Sequence, residues 1–140
     1  MKRILVAVDG SDYSARALDM ALTLSTKFDA ELLLAYAVPP VPIGGEPTMV
    51  NLAEIQRQQE DYGKRLLEEQ VAVARKRGGK ATGRLLLGPA AEAVAELAET
   101  EHVDMTVVGS RGRNVVARLL LGSVSTRLIQ LSKSPVLVVH

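Results

Sequence analysis

The sequence predicts an α/β chain wound around one parallel sheet, and two observations predict it. Five short apolar runs recur along the 140 residues, and stretches of helical periodicity fill the gaps between them. Continuous apolar runs of this length suit strands buried on both faces, as in a parallel sheet. Alternation of strand and helix is the order that builds such sheets.

The elements follow in order. Ile4 to Val8 is the first strand. Tyr13, Ala17, Ala21, Leu24 and Phe28, spaced 4, 4, 3 and 4, mark one face of a first helix. Leu32 to Val38 is the second strand. Pro39 to Pro47 is rich in proline and glycine and is no regular element; it reads either as a mobile connection or as a lid over the second strand's end. Leu52, Ile55, Tyr62, Leu66 and Val73 keep one face of a longer helix, which Gly78-Gly79 ends. Ala81-Thr82 and Leu85 to Leu87 give a weaker third strand. Pro89 suits the first turn of a third helix, where its missing N–H costs nothing, and Ala90, Val94, Leu97 and Ala98 form that helix's inner stripe. Val103 to Val108 is the fourth strand, Leu119 to Leu131 a fourth helical stretch stopped by Pro135, and Val136 to Val139 the fifth strand.

Right-handed crossovers turn this order into a single doubly wound five-stranded parallel sheet, strand order 3-2-1-4-5, with helices on both faces: a Rossmann-like domain spanning residues 1–140. Ligands of such sheets sit beyond the carboxyl ends of the strands, where the winding reverses, here between the first and fourth strands.

Composition narrows the function. A net charge of +1 argues against a general nucleic-acid footprint, which wants clustered positive charge. The absence of cysteine excludes disulfides, thiol catalysis and cysteine-ligated zinc. The run after Met1-Lys2-Arg3 stops at Asp9, too short for a secretory h-region, and no run approaches the roughly 20 apolar residues of a membrane helix. A cytoplasmic location and no membrane partner are the expectation.

The chemistry concentrates after the fourth strand. Val108 runs into Gly109-Ser110-Arg111-Gly112; nine residues later come Gly122-Ser123-Val124-Ser125 and a helical stretch. Glycines allow positive φ and close approach of backbone to a ligand. Successive N–H groups in such turns form an anion-binding concavity, and a helix N-terminus adds free N–H groups and a favourable dipole. Ser123 and Ser125 add hydroxyls; Arg111 and Arg113 add charge. The competing account is a tight strand-to-helix turn with Ser123 as an ordinary N-cap. The pattern is neither a Walker A loop, which needs Gly-Lys-Ser/Thr, nor a dinucleotide fingerprint, which follows the first strand. Asp9 closes the first strand at the same edge; it serves either a ligand or its own turn, bonding the N–H of Ser11 or Asp12.

The G-x2-G-x9-G-S pattern, joined to Asp9-Gly10-Ser11, resembles the ATP-binding branch of the universal stress protein family, and the similarity runs from Ile4 to Val139. The resemblance implies that Asp9 bonds the ribose hydroxyls and that Ala7, Val8 and Ala37 lie along the adenosine. It implies that Val108, Gly109, Arg111 and Gly112 line the ribose and phosphates, and that Gly122, Ser123, Val124 and Ser125 take the phosphates. It further implies ATP as ligand, often with a magnesium or manganese ion, a nucleotide-dependent regulatory role in stress response, and a homodimer formed through Val136, Leu137, Val138 and Val139. An exposed edge strand without internal charge agrees with such pairing. AMP, ADP and cyclic nucleotides are not separated from ATP by these residues.

Two other readings stay open. One is slow ATP hydrolysis or phosphoryl transfer, against which stands the lack of an evident general base or metal-carboxylate set. The other is a partner module whose glycine turns serve packing alone. Val115, Val116, Leu119, Leu120 and Leu121 pack on the sheet or meet a partner. His102 and His140 have no nucleophile to serve. Asp104, at the start of the fourth strand, reads as structural, and Arg75-Lys76-Arg77 as favourable charge at a helix C-terminus.

Overall fold

A computed structural model describes residues 1–41, 51–112 and 121–140. Its elements run β1 (Arg3–Ala7), α1 (Asp12–Phe28), β2 (Glu31–Val38), α2 (Leu52–Lys76), β3 (Lys80–Leu87), α3 (Ala90–Thr100), β4 (Met105–Gly109), α4 (Ser123–Leu131) and β5 (Val136–Val139). All strands pair in parallel in the order β3-β2-β1-β4-β5, the order that the sequence predicts. The winding reverses between β1 and β4.

Alternation along the strands divides the core. Ile4, Val6, Leu32, Leu34 and Val107 face α1 and α2, where Ala17, Ala21, Leu22, Leu67 and Ala74 cover them. Leu5, Leu33, Ala35 and Val108 face the other way, under Ala91, Val94, Ala98 and Leu128 of α3 and α4. Two-sided burial is why the strands read as unbroken apolar runs.

Boundaries and faces differ from expectation in instructive places. β4 starts at Met105, because Asp104 is held by the β1 backbone: its Oδ2 accepts the N–H groups of Lys2 and Arg3 at 2.6 and 2.9 Å. On α1 the inner face is Ser14, Ala17, Leu18, Ala21, Leu22 and Ser25. Phe28, the last residue of the helix, is 52% exposed, where left-handed Asp29 turns the chain toward β2. On α2 the expected stripe holds in part: Tyr62 and Leu66 pack against the core, but Gly63, Leu67 and Ala74 beside them are the buried residues, and Leu52 and Val73 face outward. A Cβ on Gly63 would come within 2.5 Å of the Tyr36 ring; the glycine lets the helix sit against that ring. Gly78-Gly79 end α2 as expected, with the Gly79 N–H bonded to the Ala74 carbonyl at 2.9 Å. Pro89 is the N-cap of α3 rather than part of its first turn, and Ala91, not Ala90, is buried. Of the stretch read as a fourth helix, Leu119 and Leu120 lie outside the described residues, and α4 begins at Ser123. The same holds for Pro42 to Pro47, most of the segment read as connection or lid. No helix among the described residues is long and apolar enough to cross a membrane.

Candidate functional site

A cavity of about 730 Å³ opens over the carboxyl ends of β1, β2 and β4. Small side chains make the room. Ala7 and Ala35 are register partners, Ala37 lies one pleat further on, and Ala90 stands at the start of α3. All twelve residues singled out from the sequence line this one space: Ala7, Val8, Asp9, Ala37, Val108, Gly109, Arg111, Gly112, Gly122, Ser123, Val124 and Ser125.

Asp9 takes the turn role and also lines the cavity. Its Oδ1 accepts the Ser11 N–H at 2.9 Å, the turn role; Ser14 Oγ accepts the Asp9 N–H at 3.0 Å. Gly10, at φ 85°, completes the turn in a conformation that favours glycine. Ser11 caps α1 through a bond from the Ser14 N–H to its Oγ at 3.1 Å. The second carboxylate oxygen, Oδ2, faces the glycine turn across the switch point: a Cβ on Gly112 would lie 3.0 Å from it.

The two glycine turns, nine residues apart in sequence, meet. The Gly122 N–H donates to the Ser110 carbonyl at 2.7 Å. The buried Ser125 Oγ lies 3.1 Å from that same carbonyl and 3.0 Å from the Gly122 carbonyl, so its single proton is held between them. Ser110 in turn donates its own N–H to Val139 of β5 at 2.7 Å. One residue thus joins edge strand, turn and helix.

The glycines work by close approach, and this corrects the expectation of positive φ. Among the described glycines only Gly10, Gly78 and Gly88 have positive φ. A Cβ on Gly109 would stand 2.9 Å from the Tyr13 carbonyl carbon, and one on Gly122 would stand 3.3 Å from Arg111 Cα. The N-cap of α4 is Gly122, not Ser123, and no side chain caps the helix. The N–H groups of Ser123, Val124 and Ser125 belong to a first turn that helix geometry leaves without internal partners. They open at the cavity, where the helix dipole favours an anion.

Arg111 reaches from this turn back to α1. Its Nη1 donates to the Tyr13 hydroxyl at 3.4 Å, and its Cζ lies 5.7 Å from the ring centre. Arg113, Val115 and Val116 lie outside the described residues, as do Leu119 and Leu120, while Leu121 lines the cavity.

The sequence reading missed a whole wall. Gln58, Gln59 and Tyr62 of α2 line the cavity with Tyr36 and Pro39 of β2's end. Tyr62 and Tyr36 meet edge to face, centroids 5.8 Å apart, and the Tyr62 hydroxyl is 2.5 Å from where a Gly10 Cβ would stand. The available signal was Tyr62 itself, an aromatic with a polar tip on a helix otherwise poor in aromatics. Periodicity puts Tyr62 on the inner face, where it is found, but nothing in the pattern brings that face over the strand ends. Ser110 was also passed over, because its part is played by main-chain atoms.

Asp9 is the one carboxylate among the described lining residues, and no group of three or more His, Asp or Glu side chains gathers among the described residues. The described residues offer no cage for a divalent ion there; a metal at this site would ride on the phosphates of a ligand. The remaining candidates lie elsewhere. His102, in a left-handed turn, and His140 are exposed. Arg75 Nε donates to the Ala81 carbonyl and Arg77 pairs with Asp19, both at the opposite end of the sheet. β5 pairs with β4 on one side only, and its four residues are half-buried.

Comparison with known proteins agrees with this architecture. The profile of the Universal stress protein family matches residues 1–140. A universal stress protein of Methanocaldococcus jannaschii is 34% identical over 99% of this chain and 81% of its own length. One from Thermus aquaticus is 35% identical over 99% of this chain and 98% of its own. Among solved structures, a universal stress protein of Lactobacillus plantarum superposes with a TM-score of 0.89 at 20% identity, covering 99% and 97% of the two chains. Another, solved in complex with cAMP, gives 0.76 at 29% identity, covering 99% and 97%. The chain belongs to the universal stress protein family.

Proposed function

We propose that this protein is a nucleotide-dependent regulator that holds ATP in the cavity at the switch point and acts as a homodimer. The observation that carries the reading is the bond from the Gly122 N–H to the Ser110 carbonyl. It sets the uncapped start of α4 and the free oxygen of Asp9 on one cavity, an anion site beside a hydroxyl acceptor. In this reading the adenosine lies along Ala7, Val8 and Ala37, Asp9 Oδ2 accepts from the ribose, and Gly122 to Ser125 take the phosphates. The 29% identical relative solved with cAMP supports an adenine nucleotide as the ligand class.

The reading is of retention rather than turnover. One oxygen of Asp9 is already held by Ser11, and Ser125 is buried with its proton between two carbonyls. For the dimer, the support is β5: an uncharged strand of four residues with one unpaired edge. Placing Lys at Val138 should shift the protein to a monomer by light scattering.

The nucleotide reading is tested by calorimetry with ATP and by extracting a gently purified sample for co-purifying nucleotide. Gly112→Leu and Gly122→Leu should abolish binding while the fold survives, as read by circular dichroism. Clean protein that binds no adenine nucleotide overturns it.

A further inference from the structure

We infer that Arg16 and Arg111, gathered on the ring of Tyr13, read the distal phosphates of the nucleotide, so that a triphosphate is held more tightly than the monophosphate of the same base. The inference rests on the nucleotide reading above and assigns the residues that decide phosphate number.

Tyr13 stands in the first turn of α1, with its main chain against Gly109, a residue of the cavity lining. Two guanidinium groups share its ring: Arg16 Cζ is 4.9 Å and Arg111 Cζ 5.7 Å from the centre. Neither makes an ion pair with any described residue, Asp12 one turn before Arg16 included. By contrast Arg3, Arg77, Arg84 and Arg127 all have carboxylate partners. Two like charges held near one ring repel, and a cation–π contact at an exposed site is weaker than a charge-assisted, bidentate bond to phosphate. An anion arriving beside the ring therefore draws both guanidiniums.

The direction is set by Arg111. Its Cα lies next to Gly122, at the start of α4, and its guanidinium ends at Tyr13 on α1. A phosphate seated on the N–H groups of α4 has the Arg111 side chain running from it toward Arg16. Further phosphates extending that way meet first one guanidinium and then the other. A monophosphate stops at α4 and gains little from Arg16.

The experiment is titration calorimetry of AMP, ADP and ATP, free of divalent ions at fixed ionic strength, on the wild type, Arg16→Gln and Arg111→Gln, with folding checked by thermal melting. Wild type should bind ATP at least about ten-fold more tightly than AMP. Arg16→Gln should weaken ATP about five-fold or more while AMP stays within about two-fold; Arg111→Gln should weaken ATP at least as much. Equal affinity of wild type for AMP and ATP overturns the inference while leaving the nucleotide reading intact, as does an Arg16→Gln protein that keeps its full preference for ATP or loses AMP and ATP alike. Failure to bind any adenine nucleotide removes the underlying reading as well.

Discussion

The two ends of the sheet are built from similar residue types and end in opposite electrostatic states. At the amino ends of the strands, charge is matched on the spot. Arg3 pairs with Glu31 at 2.8 Å and Glu101 at 3.1 Å, Lys80 with Asp29 at 2.7 Å, and Asp104 takes two main-chain N–H groups on one oxygen. At the carboxyl ends, matching is left incomplete. Asp9 keeps one oxygen toward the cavity, α4 starts without a cap, and two arginines share a tyrosine. The two ends differ in spare hydrogen-bonding capacity rather than in residue type, and the proposed ligand site lies at the end that keeps it.

The comparison breaks most severely at Gly109. Gly109→Val drives a Cβ against the Tyr13 main chain, which cannot swing aside, and should cost on the order of 3 kcal/mol in denaturant unfolding. A melt indistinguishable from wild type would mean that β4 and α1 do not abut as described.

The two aspartates sharpen the comparison next. Asp9→Ala should weaken ATP binding by roughly ten- to a hundred-fold by calorimetry, the loss of a charge-assisted bond. Asp104→Ala, at the far end of the neighbouring strand, should leave that affinity within about two-fold. Equal effects from both would erase the distinction between the ends. A smaller change is expected at Ser125, whose hydroxyl ties the α4 start to Ser110: Ser125→Ala should lower stability by about 1 kcal/mol.

The smallest effect is the acid dependence of the closed end. Bonds from the Arg3 and then the Lys2 N–H hold the Asp104 carboxyl below its ordinary value. With the folded value depressed, the contribution is present above the unfolded value of about 4 and is lost as pH falls through the folded one. Asp104→Asn should therefore melt slightly below wild type at pH 7, and the gap should close on descending below pH 4. A gap that widens in acid would reverse the assignment.

Much of this was legible in the chain. Apolar runs such as Ile4–Val8 locate the strands because both faces are buried, and Asp9 and the glycines fall at the strand ends that winding order makes receptive. The α2 wall was not legible. Of the stripe Leu52, Ile55, Tyr62, Leu66 and Val73, Tyr62 and Leu66 pack on the core, but Leu52 and Val73 are exposed and the most buried line runs beside them through Gly63, Leu67 and Ala74. Hydrophobic counting gives no weight to a residue whose contribution is the lack of a Cβ. Nor does side-chain reasoning find Ser110, whose amide and carbonyl do the joining, or the pairing of Arg16 and Arg111, which lie 95 positions apart and meet only through Tyr13.

Ser110 is fastened on both sides, by its N–H to the outermost strand and by its carbonyl to the start of α4. It acts as a rivet. Its two bonds lie in successive peptide planes joined at one Cα, so a shift of the outer strand has only that residue's two dihedrals to absorb it before it reaches the start of α4.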